Sequence, residues 1–274
     1  RAFAKILDNG HVVKGFKPVH WCLDCRSSLA EAEVEYEDRT SPSIDVLYAV
    51  VDGAELAQRF GLAAAVAGAS VVIWTTTPWT LPASQAVTLG AELGYVLAQL
   101  ADGTLVVVAE ELLAAVSGRA AKEVASRLAP TAEQASPVES QSSPVGGSLL
   151  ATAAEVLARA TGAQLEGLQL NHPFLERVVP VILGDHVTLD AGTGCVHTAP
   201  GHGMEDFQVG QKYGLPVDNP VAGDGRFVEG TLYVAGQKVF EANAGLVELL
   251  RERGRLLAYA PYHHSYPHCW RHKT

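Results

Sequence analysis

The sequence predicts a mixed, β-rich α/β fold, with a closed β-barrel core or curled sheet and peripheral helices. Three observations predict it. Short apolar or β-branched runs recur along the chain, most of them bounded by glycine, proline or aspartate. Helical patterns are few and short. Of the 274 residues, 48% are hydrophobic and 18% charged, enough apolar material for a sizeable core.

Taken in order, residues 1–42 hold a Cys-x-x-Cys pair and a charged stretch from Glu31 to Arg39. Ile44 to Val51 is a strand ended by Asp52-Gly53. Glu55 to Val66 spaces Leu56, Phe60 and Ala63 as a helix does, with Gly68 just beyond as a stop. Ser70 to Trp74 reads as a buried strand and runs into a stiff loop that carries Pro78 and Pro82. Ala86–Leu89, Tyr95–Leu100 and Thr104–Ala109 are strands, the last two joined by an Asp102-Gly103 turn. A helix starts over Glu110 to Val116. The stretch around 126–148 is rich in Ser, Pro, Gln and Gly, and reads as a flexible surface insertion. Ala151 to Ala160 reads as a helix before Gly162. Val178–Leu183, Val187–Leu189 and Gly194–Thr198 read as strands, Glu205–Tyr213 as a short helix before Gly214, and Asn243–Arg253 as an amphipathic helix before Gly254. The chain shows no internal repeat.

Lys plus Arg number 20 and Asp plus Glu 30, a formal charge of −10, which argues against a free-standing nucleic-acid binder. It leaves room for contact with a nucleic-acid end held by another domain. The longest apolar stretch, Leu62 to Trp74, is broken by Gly68 and Ser70 and is short of a membrane span. No signal peptide is legible. The chain opens on Arg1 and ends on Thr274 without a terminating feature, and it reads as a piece of a longer protein. Four cysteines are too few for a disulfide scaffold, so a reducing compartment is expected.

Three constellations carry chemistry. The first is Trp74-Thr75-Thr76-Thr77-Pro78-Trp79-Thr80, four hydroxyls in six positions on a proline-stiffened loop. Hydroxyls donate and accept, so such a loop suits a water, a ribose hydroxyl or an ester carbonyl; the plain alternative is a strand end. The second runs from Gly192 to Asp206. It packs His197, His202, Glu205 and Asp206 among glycines and prolines between a strand and a helix. The two histidines with an acid have the chemistry of a catalytic metal site, although the spacing is no standard zinc signature. Asp206 is alternatively a helix-N-terminal acid, His197 a core histidine, and Cys195 a nucleophile beside His197. The third is Cys22 and Cys25 with Cys269 and His272, a Cys₃His composition suited to a structural zinc that would clamp the two ends together. His20 and His268 compete as ligands, and reduced, metal-free cysteines are the plain alternative.

Several runs are specific to one family. They are Phe16-Lys-Pro-Val-His-Trp-Cys-Leu-Asp-Cys25, Ala30 to Tyr36, Ser41 to Val46, the threonine run at 74–82, Gly192 to Asp206, and Tyr266 to Thr274. Together they resemble the editing insertion, connective peptide 1, of bacterial-type isoleucyl-tRNA synthetases, over nearly the whole chain except about 118–160. Thr77-Pro78-Trp79, where the valyl and leucyl relatives tend to carry Arg-Pro, favours the isoleucine type. The resemblance implies an editing core over 43–225, an N-terminal stalk and zinc-knuckle-like segment over 1–42, and a segment over 226–274 that returns to a ribbon-like stalk. It implies a cytoplasmic enzyme that hydrolyses mischarged Val-tRNA(Ile), and also valyl-adenylate, with no cofactor for hydrolysis. Its partners would be the tRNA(Ile) acceptor end and the remaining synthetase domains, with no membrane. The synthetic signatures His-x-Gly-His and Lys-Met-Ser-Lys-Ser are not in this sequence, so ATP-dependent activation is not expected of it.

By the same resemblance, Thr75, Thr76 and Thr77 hold the ester and position the attacking water, and Asp206 binds the α-ammonium. Trp74, Thr80 and Ser84 contribute to substrate binding, and His197 excludes the longer isoleucine side chain. Ser84 departs from the family's usual asparagine, which puts a substrate contact in question. Two rivals remain: a metal-dependent hydrolase built on His197, His202 and Asp206, and a non-catalytic module that binds the tRNA acceptor end.

Overall fold

The computed structural model describes residues 1–12, 14–128 and 154–273. The expected insertion at 126–148 therefore lies, beyond residue 128, outside the described residues. A short helix α1 (Ala2–Asp8) precedes a knuckle of two-residue strands, β1 (Trp21–Cys22) and β2 (Ser27–Ser28). The long strand β3 (Val34–Ala49) leads to α2 (Gly53–Arg59), capped by Asp52, whose carboxylate accepts from the Ala54 and Glu55 amides. Then come β4 (Ser70–Thr75), a 3-10 turn (Pro78–Ala83), β5 (Ala86–Leu89), β6 (Gly94–Gln99), β7 (Leu105–Ala109) and α3 (Leu113–Leu128). From residue 154 on follow β8 (Glu155–Thr161), α4 (Gly162–Leu165), β9 (Gln169–Asn171), β10 (Val178–Leu183) and β11 (Cys195–Thr198). The chain ends with α5 (Met204–Tyr213), α6 (Val239–Glu252) and β12 (Leu256–Cys269).

The strands form two main sheets. One has six strands in the order β12-β3-β4-β7-β6-β8, and the other four in the order β11-β5-β10-β9. Each contains one parallel pair, β4–β7 and β5–β10. The strand pairing of the described residues does not close a barrel: the two sheets are joined by the isolated bridge from Val50, just past β3, to Leu170 of β9, and packing between them encloses the core. On one face of the six-stranded sheet, Ile44, Val46, Tyr48, Val71, Ile73, Leu97 and Val107 meet residues of the second sheet and of α6. On the other, Leu47, Val72, Val96 and Val108 are covered by Val116 and Ala120 of α3. Burial on both faces explains why β4 and β7 read as continuous apolar runs rather than alternating ones.

β3 and β12 pair antiparallel from Val46 and Leu256 out to Val34 and Cys269, so half of each strand projects from the core as a two-stranded ribbon. Such a ribbon is marginal on its own. Here Tyr262, His264, Tyr266 and His268 make successive ring contacts along it, and the Arg39 guanidinium lies over Tyr266.

Several expectations are corrected. The helix expected over Ala151–Ala160 is, in its described part, strand β8, an edge strand whose half-buried positions alternate with exposed ones. Val187–Leu189 is irregular rather than a strand. α2 ends at Arg59, well short of Val66, with Gly61 in the left-handed region. The division expected at residue 42 falls inside β3, so stalk and core share a strand. The segment after 225 contributes Phe227, Val234 and the buried face of α6 to the main core, not only a return to the stalk. No helix among the described residues is long and apolar enough to cross a membrane.

Candidate functional site

The end of β4 and the start of β11 lie side by side, and this brings the two richest sequence motifs to one cleft of about 370 Å³. Trp74, Thr75, Thr76, Thr77 and Thr80 line one wall. Gly192 to His197, His202 and Asp206 line the other, with His186, Thr188 and Asp190 from the connection between β10 and β11.

The threonine wall is internally tied. The Thr77 amide donates to Thr75 Oγ1 at 3.1 Å, and the Thr75 and Thr77 hydroxyls are 3.2 Å apart. The Thr80 hydroxyl donates to the Thr77 carbonyl at 2.9 Å and lies 3.1 Å from His197 Nε2. A hydroxyl has one proton. With that proton on the Thr77 carbonyl, Thr80 accepts from His197 Nε2–H, and Nδ1 is left as an acceptor. His197 Nδ1 is buried with no hydrogen-bond partner. Burial, helped by the charge of His202, lowers the His197 pKa to about 4, so the ring is neutral at pH 7. Burial also lowers His202 to about 4, against the pull of Asp218.

The opposite wall depends on glycine. Gly192 and Gly194 are left-handed, at φ +82° and +73°. A Cβ on Gly194 would stand 2.4 Å from the Ala109 Cβ, so only glycine lets this turn press against β7. Asp206 sits in the first turn of α5, where a carboxylate complements the helix dipole. Its Oδ2 also accepts from the Ala199 amide at 2.9 Å, which fixes its direction. Burial raises the Asp206 pKa, while the Ala199 amide and the charge of His186 oppose the rise and Glu205 adds to it.

The structure thus gathers Trp74, Thr75, Thr76, Thr77, Thr80, His197 and Asp206 around one cleft. Ser84 is not among them. It is fully buried behind the threonine loop, where the Tyr48 hydroxyl donates to its Oγ at 3.0 Å, so the direct substrate contact expected of it is corrected to support of the loop from the core. Cys195 lines the cleft wall, but burial drives its thiol pKa far up, which removes it as a nucleophile. His197, His202 and Asp206 do not converge as metal ligands. Among the described residues the one group that does is Cys22, Cys25, Cys269 and His272, at the far end of the ribbon, whose ligand atoms lie within 4.8 Å of one another. His20 and His268 stand outside that group, and His268 Nδ1 instead lies 3.1 Å from the Lys273 carbonyl. Sequence reasoning misses His186, Thr188 and Asp190: Thr188 falls within the strand expected over Val187–Leu189, and His186 and Asp190 flank it without a recognisable motif. It also misses Arg119 of α3, which donates to the Gly192 carbonyl at 3.0 Å and braces the glycine turn from outside.

Residues 1–262 match the family model described as tRNA synthetases class I (I, L, M and V). The whole chain aligns with the isoleucine–tRNA ligase of Halorhodospira halophila at 54% identity over 277 residues, and with that of Vibrio cholerae at 52% over 279. In each case it spans 26% of the relative's length. Two solved structures share the fold. The crystal structure of GlLeuRS-CP1 has a TM-score of 0.53 at 13% identity, covering 80% of this chain and 97% of that one. The P. knowlesi cytosolic leucyl-tRNA synthetase editing domain has a TM-score of 0.50 at 11% identity, covering 81% and 97%.

Proposed function

The chain belongs to the class I tRNA synthetases, and from that membership we propose that it is the editing part of an isoleucine-type enzyme, hydrolysing valine wrongly esterified to tRNA(Ile). The observation that carries the reading is the single cleft in which a wall of threonine hydroxyls faces the oriented carboxylate of Asp206. The chemical need is known: a hydrophobic pocket rejects a substrate one methylene too small only weakly, and isoleucyl-tRNA synthetase is the standing example of a second, hydrolytic sieve.

In this reading Asp206 receives the substrate's α-ammonium through a charge-assisted hydrogen bond. Thr75, Thr76 and Thr77 hold the ester carbonyl and orient a water. Thr80 keeps the His197 ring in place, and that ring limits the length of side chain admitted. The water attacks the carbonyl carbon, the bond to the ribose oxygen breaks, and the ribose hydroxyl departs with a proton. Valine and free tRNA are the products. No residue of the cleft stands out as a strong base, so orientation and preorganised dipoles carry the rate on an ester that is already activated. Valyl-adenylate, a mixed anhydride with the same aminoacyl head, fits the same arrangement. The tRNA acceptor end, the other synthetase domains and a cytoplasmic setting follow from the same reading.

The test is deacylation of Val-tRNA(Ile) and Ile-tRNA(Ile) by the wild-type chain and by Asp206→Ala. Loss of valine alone is expected, and the variant should fall roughly 10–100-fold, the worth of one hydrogen bond to a charged group. Equal hydrolysis of both esters would sink the sieve role of His197. Hydrolysis of neither, by this chain and by the full-length enzyme, would favour the acceptor-end binding module.

We further propose a structural zinc at Cys22, Cys25, Cys269 and His272. The three sulfurs lie 3.7, 3.3 and 3.9 Å from His272 Nδ1. Tetrahedral zinc with ordinary Zn–S and Zn–N bonds sets its ligand atoms roughly 3.5 Å apart, so the cluster fits. The ion would supply a cross-link and no catalysis. Protein purified with zinc should carry about one ion per chain, and Cys22→Ser or Cys269→Ser should remove most of it by atomic emission. A metal-free wild type would refute the site.

A further inference from the structure

We propose that His186 is a substrate-binding residue of the cleft, its Nε2 hydrogen-bonding the free hydroxyl of the terminal ribose that carries the aminoacyl ester. The inference rests on the hydrolytic reading above and names a contact that reading leaves unassigned.

Four observations carry it. His186 lines the cleft beside Thr188 and Asp206. Its Nε2 is buried with no hydrogen-bond partner. An unpaired buried nitrogen costs free energy, and in a ligand cleft the natural partner is the ligand. The ring is also specifically seated: a Cβ on Gly184 would stand 2.8 Å from His186 Cε1, 2.9 Å from its Nδ1 and 2.8 Å from Thr88 Cγ2. Glycine at 184 leaves the hollow that the imidazole fills. Finally, His186 and Asp206 line the same cleft, so one substrate can meet both.

The chemistry of the partner follows by elimination within the cleft. The ammonium belongs with the Asp206 carboxylate and the ester with the threonine hydroxyls. What remains at the reacting end of an aminoacyl nucleoside is the neighbouring ribose hydroxyl. A hydroxyl donates and accepts, so it pairs with imidazole Nε2 in either tautomer. At the reacting end the ammonium only donates and the ester carbonyl only accepts, so this hydroxyl is the group there with that property.

The experiment uses two non-hydrolysable probes. Each is valine joined to 3′-amino-3′-deoxyadenosine by an amide in place of the ester, one with the 2′-hydroxyl and one without. Binding is measured by calorimetry for wild type, His186→Phe and His186→Gln. His186→Phe should weaken the hydroxylated probe roughly tenfold, as expected for one hydrogen bond, and leave the deoxy probe within about twofold. His186→Gln, which keeps a polar atom at similar reach, should recover most of the loss. In the free protein His186→Phe should not lower the melting temperature, because it removes an unpaired polar atom. A purely structural histidine would behave oppositely, with a lower melting temperature and equal loss for both probes. Equal loss, no loss, or a wild type that binds neither probe overturns the assignment. Because binding is read without turnover, a cleft that discriminates the probes but hydrolyses no ester would overturn the hydrolytic reading and leave His186 standing.

Discussion

Arg119→Met is expected to lower the free energy of unfolding by about 3–5 kcal/mol, as removing one partner of a buried ion pair does. Asp45 lies on β3 with 1% of its surface exposed, and Arg119 reaches it from α3 with two hydrogen bonds, Nε to Oδ2 at 2.6 Å and Nη2 to Oδ1 at 2.9 Å. Methionine keeps much of the packing and leaves a carboxyl stranded in the sheet. Burial raises the Asp45 pKa even against Arg119. A carboxyl with a raised folded-state pKa weighs against the fold when ionised and is relieved when protonated, so the deficit of the variant should shrink as pH falls. Urea unfolding at pH 7.5 and 5.5 reads both effects. The double variant Asp45→Leu with Arg119→Met should recover most of the stability, since nothing is then left unpaired. A single-variant loss below about 1 kcal/mol would contradict the pairing. The loss should also reach the cleft, because the same guanidinium holds the Gly192 carbonyl beside Trp74.

The second large effect is acid lability. His172 is clamped in one tautomer: its Nε2 donates to the Leu81 carbonyl at 2.9 Å, and its Nδ1 accepts from the Phe174 and Leu175 amides at 3.3 and 3.1 Å. A proton on Nδ1 would break both of the latter. Burial lowers the His172 pKa to about 3, and His197 and His202 to about 4. An unfolded histidine titrates near 6.5, so between these values the unfolded chain binds more protons than the folded one. The contribution of each ring is therefore complete above about pH 6.5 and is lost as pH falls toward 4, by about 3 kcal/mol apiece. The raised carboxyls Asp45 and Asp206 act with the opposite sign and take back part of the loss. The urea midpoint should drop steeply between pH 7 and 4.5, with the His172 ring still neutral by NMR at pH 5. A flat midpoint, or a His172 titrating near 6.5 in the folded protein, would refute this.

What the sequence disclosed follows from how locally each feature is encoded. Ala86–Leu89 and Val178–Leu183 match β5 and β10 residue for residue, because buried strands bounded by turn residues carry their own signature. The end of α5 at Gly214 was legible for the same reason, a glycine in the left-handed region at the helix stop. β12 was not legible. Pro261, Pro267 and its many polar residues argue against a strand, and are tolerated because it is an edge strand whose outer half leaves the core. β8 was mistaken for a helix because its alanines suit either state, and only pairing with β6 decides it. At the site, the threonine and glycine motifs were conspicuous, but the role of Ser84 turned on Tyr48, and that of Arg119 on Gly192 some seventy positions away. Such long-range partners leave no local trace.

The ribbon has a consequence for how such a unit is carried. Nearly everything from Val34 to Cys269 hangs from one two-stranded cord, whose strands run about 4.8 Å apart. A host chain interrupted by this cord has its severed ends held almost where they were before the interruption. The whole unit is therefore separable by architecture. Its core clusters, among the described residues, are built between the two ends of that cord.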